Sequence, residues 1–172
     1  MQPDEFKRLM AKVPAPVTVV TTRLDGAPRG ATVSSLASLS MNPPLVSIAL
    51  IEGSTLLNSI RSSKRFAINL LGHRQAEIAL QFAARSDDRF AGVSWHWQDD
   101  LPKLSGVAGF IACDLHQEVS GGDHAMLFGL IRAAHHNDEL PLIYTAREFG
   151  TNSKLVAGRK FTIADAISAC AS

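Results

Sequence analysis

The sequence predicts a mainly β protein with a few helices, folded as an antiparallel barrel in one domain over residues 1–172. Three observations support this prediction. The length of 172 residues is that of a single domain. About six segments have the β-branched or apolar composition of strands, whereas only two or three show helical spacing. Strands and helices do not alternate regularly, as they would in a doubly wound parallel sheet.

The first half of the chain is predicted to begin with a helix and to continue mostly as strands. Pro14 and Pro16 end the first helical stripe, because proline lacks the N–H that a helix interior needs. Asp25-Gly26 is a turn dipeptide that typically joins hairpin strands. In chain order, the predicted segments are a helix over 4–13, a strand over 17–22, a Ser/Thr-rich extended segment over 30–40, a strand over 45–51, a helix over 54–63 and a strand over 65–71.

The second half is predicted to contain one helix and the two longest strands. Trp95 and Trp97 share one face of an extended stretch inside a polar loop, where contact with the core or with a second subunit is the simplest expectation. In chain order, the predicted segments are a helix over 74–84, a loop over 86–105, strands over 107–119 and 125–134 joined by a glycine-containing turn, a short strand over 142–144, and a tail whose end, 163–171, is a short helix or frayed.

Composition and charge exclude several classes of protein. Lys and Arg number 17 against 16 Asp and Glu, and this balance argues against a dedicated nucleic-acid binder, whose phosphate contacts need a basic excess. The N-terminus lacks the layout of a signal peptide, and no apolar run approaches the ~20 residues that span a bilayer. Cys113 and Cys170 match no zinc or redox spacing. We therefore expect a reduced, cytoplasmic protein that binds neither nucleic acid nor membrane.

A hydroxyl-rich segment is the first candidate for a functional site. Five Ser or Thr residues lie within the nine positions 32–40. Hydroxyls and backbone N–H groups can bind a ribityl chain, a phosphate or the edge of a ring without any fixed charge. The alternative is a solvated strand face that ends in a serine-rich turn.

Two further segments could bind an anion or move a proton. Ser54-Thr55 begins a predicted helix, and helix N-termini attract anions through their free N–H groups. In Gly121-Gly122-Asp123-His124, between the two long strands, a histidine beside an acid can orient a substrate or transfer a proton near neutral pH. The alternatives are a plain helix cap and a hairpin turn with an exposed histidine.

Other motifs carry less information. Adjacent His135 and His136 would point to opposite sides of a strand, so a solvated loop is predicted there and no metal site. Arg89 lies in a mixed-charge segment that is either surface or within reach of a phosphate. No glycine-rich dinucleotide fingerprint follows a strand, and no P-loop occurs, so a Rossmann site is unsupported.

The order of these segments resembles that of the flavin reductase-like family over about Phe6 to Phe149. Members of this family are short-chain NAD(P)H:flavin oxidoreductases that supply reduced flavin to two-component monooxygenases. The matching segments are 17–22, 30–36, 38–40 followed by Pro43-Pro44-Leu45, 65–71, 89–93 and Gly122-Asp123-His124.

The resemblance implies an FMN-binding split barrel, a Greek-key antiparallel barrel that works as a homodimer with flavin near the subunit interface. It also implies roles for individual residues. Around the isoalloxazine and ribityl groups it places Thr32, Val33, Ser34, Ser35, Ser38 and Leu39. At the phosphate it places Ser54, Thr55 and Ser59, with Arg89 and Phe90 closing that end. At the nicotinamide it places His124, covered by Tyr144, Arg147 and Phe149.

The activity that the resemblance implies is reduction of free FMN or FAD by NADH or NADPH, followed by release of the reduced flavin to a partner monooxygenase. The cofactors supply the chemistry of hydride transfer, so no protein nucleophile is required. We expect His124 to position the nicotinamide rather than to act as an obligatory acid. Two alternatives remain: a non-catalytic flavin-binding or sensing module, and a flavin-dependent reductase of another cofactor such as a corrinoid.

Overall fold

The computed structural model describes residues 2–86 and 88–153, which form three helices and twelve strands. The helices are α1 (Pro3–Met10), α2 (Thr55–Ser63) and α3 (Ala76–Ala83). The strands are β1 (Ala15–Pro16), β2 (Thr18–Leu24), β3 (Ala27–Val33), β4 (Ala37–Met41), β5 (Pro44–Ile51), β6 (Arg65–Leu70), β7 (Trp95–Gln98), β8 (Leu101–Leu104), β9 (Gly109–Gly121), β10 (His124–His136), β11 (Ile143–Thr145) and β12 (Glu148–Gly150).

Most of the predicted elements are confirmed, with ends that differ by a few residues. All three predicted helices within the described residues are present, and so are the predicted strands. Asp25 and Gly26 have φ angles of 51° and 77°, the left-handed backbone that a two-residue hairpin turn requires. Ser54 caps α2, because its side chain accepts a hydrogen bond from the Leu57 N–H.

The prediction of a loop over 86–105 is wrong for part of its length, since β7 and β8 form an antiparallel hairpin there. The turn between them uses Asp99 and Asp100, with φ angles of 52° and 64°. Aspartate tolerates this left-handed backbone better than most residues, but an Asp-Asp pair is a weaker hairpin signal than Asn-Gly. The short strands β1 and β12 were not predicted either, so the expected number of about six strands was too low.

A buried asparagine fastens this hairpin to the barrel. The Asn69 side chain accepts a hydrogen bond from the Leu104 N–H at 2.8 Å and donates one to the Pro102 carbonyl at 3.3 Å. Trp95 packs edge-on against Trp97, with ring centroids 5.0 Å apart, and against Phe90 at 5.3 Å. The predicted contact of Trp95 with the core is therefore confirmed. The predicted tail segment 163–171 and Cys170 lie outside the described residues.

The strands form three antiparallel sheets. The largest has seven strands in the order β3-β2-β6-β9-β10-β5-β4. A three-stranded sheet has the order β1-β11-β12, and β7-β8 is the hairpin described above. The predicted antiparallel, mainly β class is therefore confirmed.

The connection between β3 and β4 requires the large sheet to curl. These two strands lie at opposite edges of the seven-stranded sheet, yet only residues 34–36 separate them in the chain. If the sheet were flat, its edges would be roughly 29 Å apart, because neighbouring strands are about 4.8 Å apart. Three linking residues span at most about 14 Å. The sheet therefore closes on itself as an open barrel whose edge strands are not hydrogen-bonded to each other, as in a split barrel.

Three hydrophobic clusters hold the described part of the chain together, and the smallest is formed by Ala67, Leu101, Phe110 and Ala112. Inside the barrel, Ile48, Phe66 and Leu127 are fully buried, and α2 covers them with the side chains of Leu57 and Ile60. Fully burying one such side chain contributes roughly 1.5–3 kcal/mol. The second cluster lies under α3 and extends from Phe82 to Leu142. The packing of α2 against the barrel fixes the position of its N-terminus.

Of the helices in the described residues, none is both long and apolar enough to cross a membrane.

Candidate functional site

A cleft of about 490 Å³ opens where the edges of the barrel meet. On one side it is lined by the end of β3 and the segment that follows it, and on the other by the end of β5 and the start of α2. Its walls comprise residues 31–35, 49–51 and 54–56, with Phe82, Ala83, Arg89 and His124. The structure therefore brings together Thr32, Val33, Ser34, Ser35, Ser54, Thr55, Arg89 and His124, eight of the residues predicted for the site.

Only some of the hydroxyls in the cleft are available to a ligand. Thr32 Oγ1 donates to the Ala79 carbonyl of α3 at 2.7 Å. Ser35 Oγ donates to the Ala49 carbonyl at 3.0 Å and accepts from the Ala49 N–H at 2.8 Å. Within residues 2–86 and 88–153, the Ser34 and Thr55 hydroxyls make no hydrogen bond. These two hydroxyls are therefore available to a ligand in the cleft.

The N-terminus of α2 supplies N–H groups to the same cleft. Thr55 and Leu56 begin the helix, so their N–H groups have no partner within it. Ser54 Oγ accepts from the Leu57 N–H at 3.3 Å, which leaves its own O–H free to donate. Together with the helix dipole, these donors favour an anion at this end of the cleft.

Arg89 places a fixed positive charge at the same end. Its Nη1 donates to the Gly30 carbonyl and its Nε to the Ala84 carbonyl, both at 2.9 Å. The Gln81 side chain holds this loop by donating to the Arg89 carbonyl at 3.0 Å. Arg89 Nη2 makes no hydrogen bond to any described residue, so it remains able to bind a phosphate oxygen.

Phe90 supports the loop that carries Arg89. It is 9% exposed, and its ring packs edge-on against Phe82 at a centroid distance of 4.9 Å. Phe90 lines a second cleft, of about 530 Å³, that meets the first one. The two clefts share Thr55, Leu56 and Arg89.

His124 enters the first cleft from the turn between β9 and β10. Gly122 in this turn has a φ of 73°, and strand pairing places His124 beside Ile51 of β5. His124 Nδ1 lies 2.7 Å from Asp123 Oδ1, and this hydrogen bond holds the pKa of the Asp123 carboxyl below its usual range. Because the ionised carboxylate can only accept, Nδ1 carries a proton and the imidazole is oriented by Asp123.

Six predicted site residues lie elsewhere in this chain. Ser38 and Leu39 are exposed on the edge strand β4. Ser59 is 1% exposed, and its hydroxyl donates to the Thr55 carbonyl at 2.8 Å. The remaining three belong to the β11–β12 hairpin. The rings of Tyr144 and Phe149 pack there with their centroids 5.1 Å apart. Arg147 lies in the turn of the hairpin and has a φ of 67°.

Sequence reasoning missed the opposite wall of the cleft. Ala49, Leu50 and Ile51 line it from β5, and Phe82 and Ala83 from α3. The local sequence around these residues does not predict that they line the cleft, because β5 and α3 reach the cleft only when the sheet curls into a barrel. One sequence signal could have identified part of this wall. The predicted strand over 45–51 ends shortly before the Ser54 cap, so a site at the cap predicts that the end of this strand lies beside the ligand.

No group of three metal-ligating side chains forms among the described residues. His135 and His136 occupy the end of β10 rather than the predicted loop.

Comparison with known proteins identifies the family of this chain. The family model described as "Flavin reductase like domain" matches residues 10–153. The chain is similar to the reductase component of 4-nitrophenol 4-monooxygenase/4-nitrocatechol 2-monooxygenase of Rhodococcus opacus, with 33% identity over 146 residues, 85% of this chain and 79% of the relative. It is also 33% identical over 147 residues to an NADH:FMN oxidoreductase of Rhodococcus qingshengii, covering 81% of this chain and 77% of that protein.

Two solved structures have the same fold. Nitrilotriacetate monooxygenase component B from Mycobacterium thermoresistibile superposes with a TM-score of 0.86 at 29% identity, covering 92% of each chain. The NADH:FAD oxidoreductase of Streptomyces globisporus superposes with a TM-score of 0.84 at 26% identity, covering 90% of this chain and 97% of that one. The resemblance noted in the sequence is thereby confirmed, and the chain belongs to the flavin reductase-like family.

Proposed function

We propose that this protein uses NADH or NADPH to reduce free FMN or FAD, and that it releases the reduced flavin to a separate flavin-dependent monooxygenase. One observation carries the proposal. A single cleft combines an anion-binding end, formed by the α2 N-terminus and Arg89, with uncharged walls and a histidine oriented by Asp123. Relatives named as reductase components and as flavin oxidoreductases support the same activity.

The residues present fit a flavin. The walls from β3 and β5 carry small or apolar side chains and backbone amides, which suit an uncharged ring system with polar edges. The Ser34 hydroxyl is available to the ring or to the ribityl chain. The N–H groups of Thr55 and Leu56, with the free Nη2 of Arg89, suit a terminal phosphate.

Each group of residues has a distinct task in the reaction. A flavin held in the cleft would supply the chemistry of the reaction by accepting a hydride from a nicotinamide beside it. The phosphate-binding end fixes the flavin along the cleft. His124 positions the nicotinamide, and Asp123 holds the imidazole in one orientation. The Ser34 hydroxyl, which makes no hydrogen bond within the described residues and is therefore able to donate, would stabilise the negative charge that develops on the ring system.

We also propose that the protein acts as a homodimer in the cytoplasm. Exposed apolar side chains on α1 and β4 support the dimer, since Leu9 is 62% exposed and Met41 is 85% exposed. Patches of this kind on folded proteins commonly mark subunit interfaces. In the proposed dimer, the β11–β12 hairpin of one copy would approach the cleft of the other. Tyr144, Arg147 and Phe149 would then cover the nicotinamide.

The test is oxidation of NADH or NADPH by the purified protein, measured with and without added FMN or FAD. We expect flavin-dependent turnover with at least one pair of substrates. Addition of cytochrome c as an acceptor tests release, because only freely diffusing reduced flavin reaches it. If neither nicotinamide is oxidised with either flavin, the proposed activity is excluded. If the protein binds flavin tightly and consumes no NAD(P)H, it is a flavin-binding module.

A further inference from the structure

Arg61 lies in the last turn of α2 and bonds to two carboxylates outside the helix. Its Nε donates to both oxygens of Glu118 on β9, at 3.1 and 3.2 Å. Its Nη2 donates to both oxygens of Glu52, at 3.2 and 3.1 Å, and also bonds to Glu118 Oε1. We refer to these three residues as the Arg61 cluster. None of them lines the cleft that His124 enters, yet together they join α2, β9 and the turn between β5 and α2.

Glu52 connects the Arg61 cluster to the turn that carries His124. The Glu52 N–H donates to the carbonyl of Asp123 at 3.0 Å. Asp123 in turn orients the imidazole of His124 through its carboxylate. A displacement of the Glu52 backbone would therefore reach the Asp123-His124 pair through a single hydrogen bond.

Side-chain packing does not hold these two turns in place. Glu52 and Gly53 are exposed, and so are residues 120–123 at the end of the β9–β10 hairpin. Among the described residues, Arg61 is the only hydrogen-bonding partner of the Glu52 side chain. A lone ion pair at a surface restrains little, but a guanidinium that bonds both oxygens of two carboxylates has a fixed geometry. The turn that contains Glu52 therefore depends on Arg61 for its side-chain restraint.

We propose, building on the flavin reductase function proposed above, that Arg61 is a positioning residue for His124. Through Glu52 it fixes the backbone that bonds to Asp123, and it thereby sets where the imidazole meets the nicotinamide. Glu118 anchors the guanidinium to β9, the strand that leads into the same turn.

The anion-binding end of the cleft is held independently of the Arg61 cluster. Leu57 and Ile60 are fully buried against the barrel and fix α2. Arg89 is held through the Gly30 carbonyl on β3. Loss of Arg61 should therefore affect the nicotinamide and leave flavin affinity nearly unchanged.

Arg61→Ala tests the proposal, with Arg132→Ala as the matched control. Arg132 is exposed and also bonds to a carboxylate of β9, with its Nε 2.6 Å from Asp114 Oδ2, but it lines neither cleft. For the nicotinamide that the parent oxidises, we expect Arg61→Ala to lower kcat/KM by about tenfold, because small misplacements of a positioning group are costly. The Kd for flavin should change by less than about twofold. Arg61→Lys should recover part of the loss, since an ammonium group lacks the planar fork. Arg132→Ala should change neither quantity.

Two further variants test the route from Arg61 to His124. Glu52→Ala keeps the pair between Arg61 and Glu118 and should reproduce most of the loss in kcat/KM. In the His124→Ala background, Arg61→Ala should cause no further loss, because two changes that act through one group are not additive.

Amide hydrogen exchange provides a readout that does not depend on activity. The Glu52 N–H should exchange about tenfold faster in Arg61→Ala than in the parent, because the turn opens more often without its side-chain restraint. In Arg132→Ala its exchange should match that of the parent.

The outcomes separate this proposal from the one on which it rests. Equal kinetic effects of Arg61→Ala and Arg132→Ala, or unchanged exchange at Glu52, would show that Arg61 forms only a surface ion pair, and the reductase function would stand. Additive losses in the double variant with His124→Ala would also overturn the proposal, because Arg61 would then act by another route. If the parent oxidises no nicotinamide with either flavin, the reductase function fails, and the role of Arg61 fails with it whatever the exchange at Glu52.

Discussion

Ser35 and Ala49 are joined by two hydrogen bonds, since the Ser35 hydroxyl accepts the Ala49 N–H at 2.8 Å and donates to the Ala49 carbonyl at 3.0 Å. Ser35 lies in the short segment between the two edges of the sheet, and Ala49 lies in β5. The Ser35 hydroxyl therefore links this segment to β5 and fixes the distance between two walls of the cleft. Its neighbour Ser34 has no such partner within the described residues.

We expect Ser35→Ala and Ser34→Ala to have different effects. Ser35→Ala removes both bonds to β5, and the free energy of unfolding should fall by about 0.5–1.5 kcal/mol, because the exposed backbone groups of Ala49 exchange the hydroxyl for water. Ser34→Ala should weaken flavin binding by the value of one hydrogen bond, about 0.5–1.5 kcal/mol, with the free energy of unfolding nearly unchanged. Urea unfolding and flavin titration of both variants check this. Equal loss of stability in the two variants would contradict the assignment.

His124→Ala should impair reduction by NADH while leaving flavin affinity largely unchanged. The imidazole enters the cleft beside Ile51, whereas the anion-binding end is formed by other residues. Steady-state kinetics with each nicotinamide, together with flavin titration, separate these quantities. Asp123→Asn should show a smaller kinetic effect of the same kind, because it removes only the orientation of the ring. A parallel loss of flavin affinity in His124→Ala would show that the imidazole binds the flavin instead.

Glu118 should make the stability of the protein depend on pH in the acidic range. The Arg61 guanidinium bonds to Glu118 and also to Glu52, and it holds the pKa of the Glu118 carboxyl below its usual value. A group with a lowered folded pKa stabilises the protein above its unfolded pKa, about 4.3 for glutamate, and this contribution is lost as the pH falls through the folded pKa. Glu118→Gln should therefore lower the free energy of unfolding at pH 7, and the difference from the parent should shrink at strongly acidic pH.

Urea unfolding of the parent and of Glu118→Gln, repeated across this pH range, measures the difference. Glu148→Gln is the control, since Glu148 is exposed and forms no ion pair within the described residues. A difference between the parent and Glu118→Gln that stays constant into strongly acidic solution would refute the ionic explanation.

Gly129→Ala should destabilise the barrel through overpacking. A Cβ atom at this position would lie 2.5 Å from Phe66 Cζ and 3.0 Å from Cys113 Cβ. Phe66 is fully buried, so its ring has little room to move, and the expected cost is about 1–3 kcal/mol. Gly150→Ala is the matched control on a strand, because no heavy atom lies within 4 Å of its added Cβ. Thermal or urea unfolding of both variants checks the prediction, and equal stability would show that the core yields at this point.

Local chemistry explains which parts of the fold could be predicted. The β-branched run at the start of β2, the Asp25-Gly26 turn and the Ser54 cap each act through their own residues or near neighbours, and all three are confirmed. The β7–β8 hairpin was missed because its stability depends on Asn69 and on aromatic contacts from other parts of the chain. Such partners leave no signal in the local pattern.

By itself, the sequence determined the antiparallel β class, the family and the segments that carry hydroxyl groups, because these depend on residue types in a fixed order. Only the tertiary structure decided which hydroxyls a ligand can reach. The Thr32 hydroxyl donates to the carbonyl of Ala79, which lies 47 residues away in the chain, and is therefore not available to a ligand. The Ser34 hydroxyl makes no such bond within the described residues and can donate to a ligand. A hydrogen bond depends on distance in space, and that distance is set by the curl of the sheet rather than by the spacing along the chain.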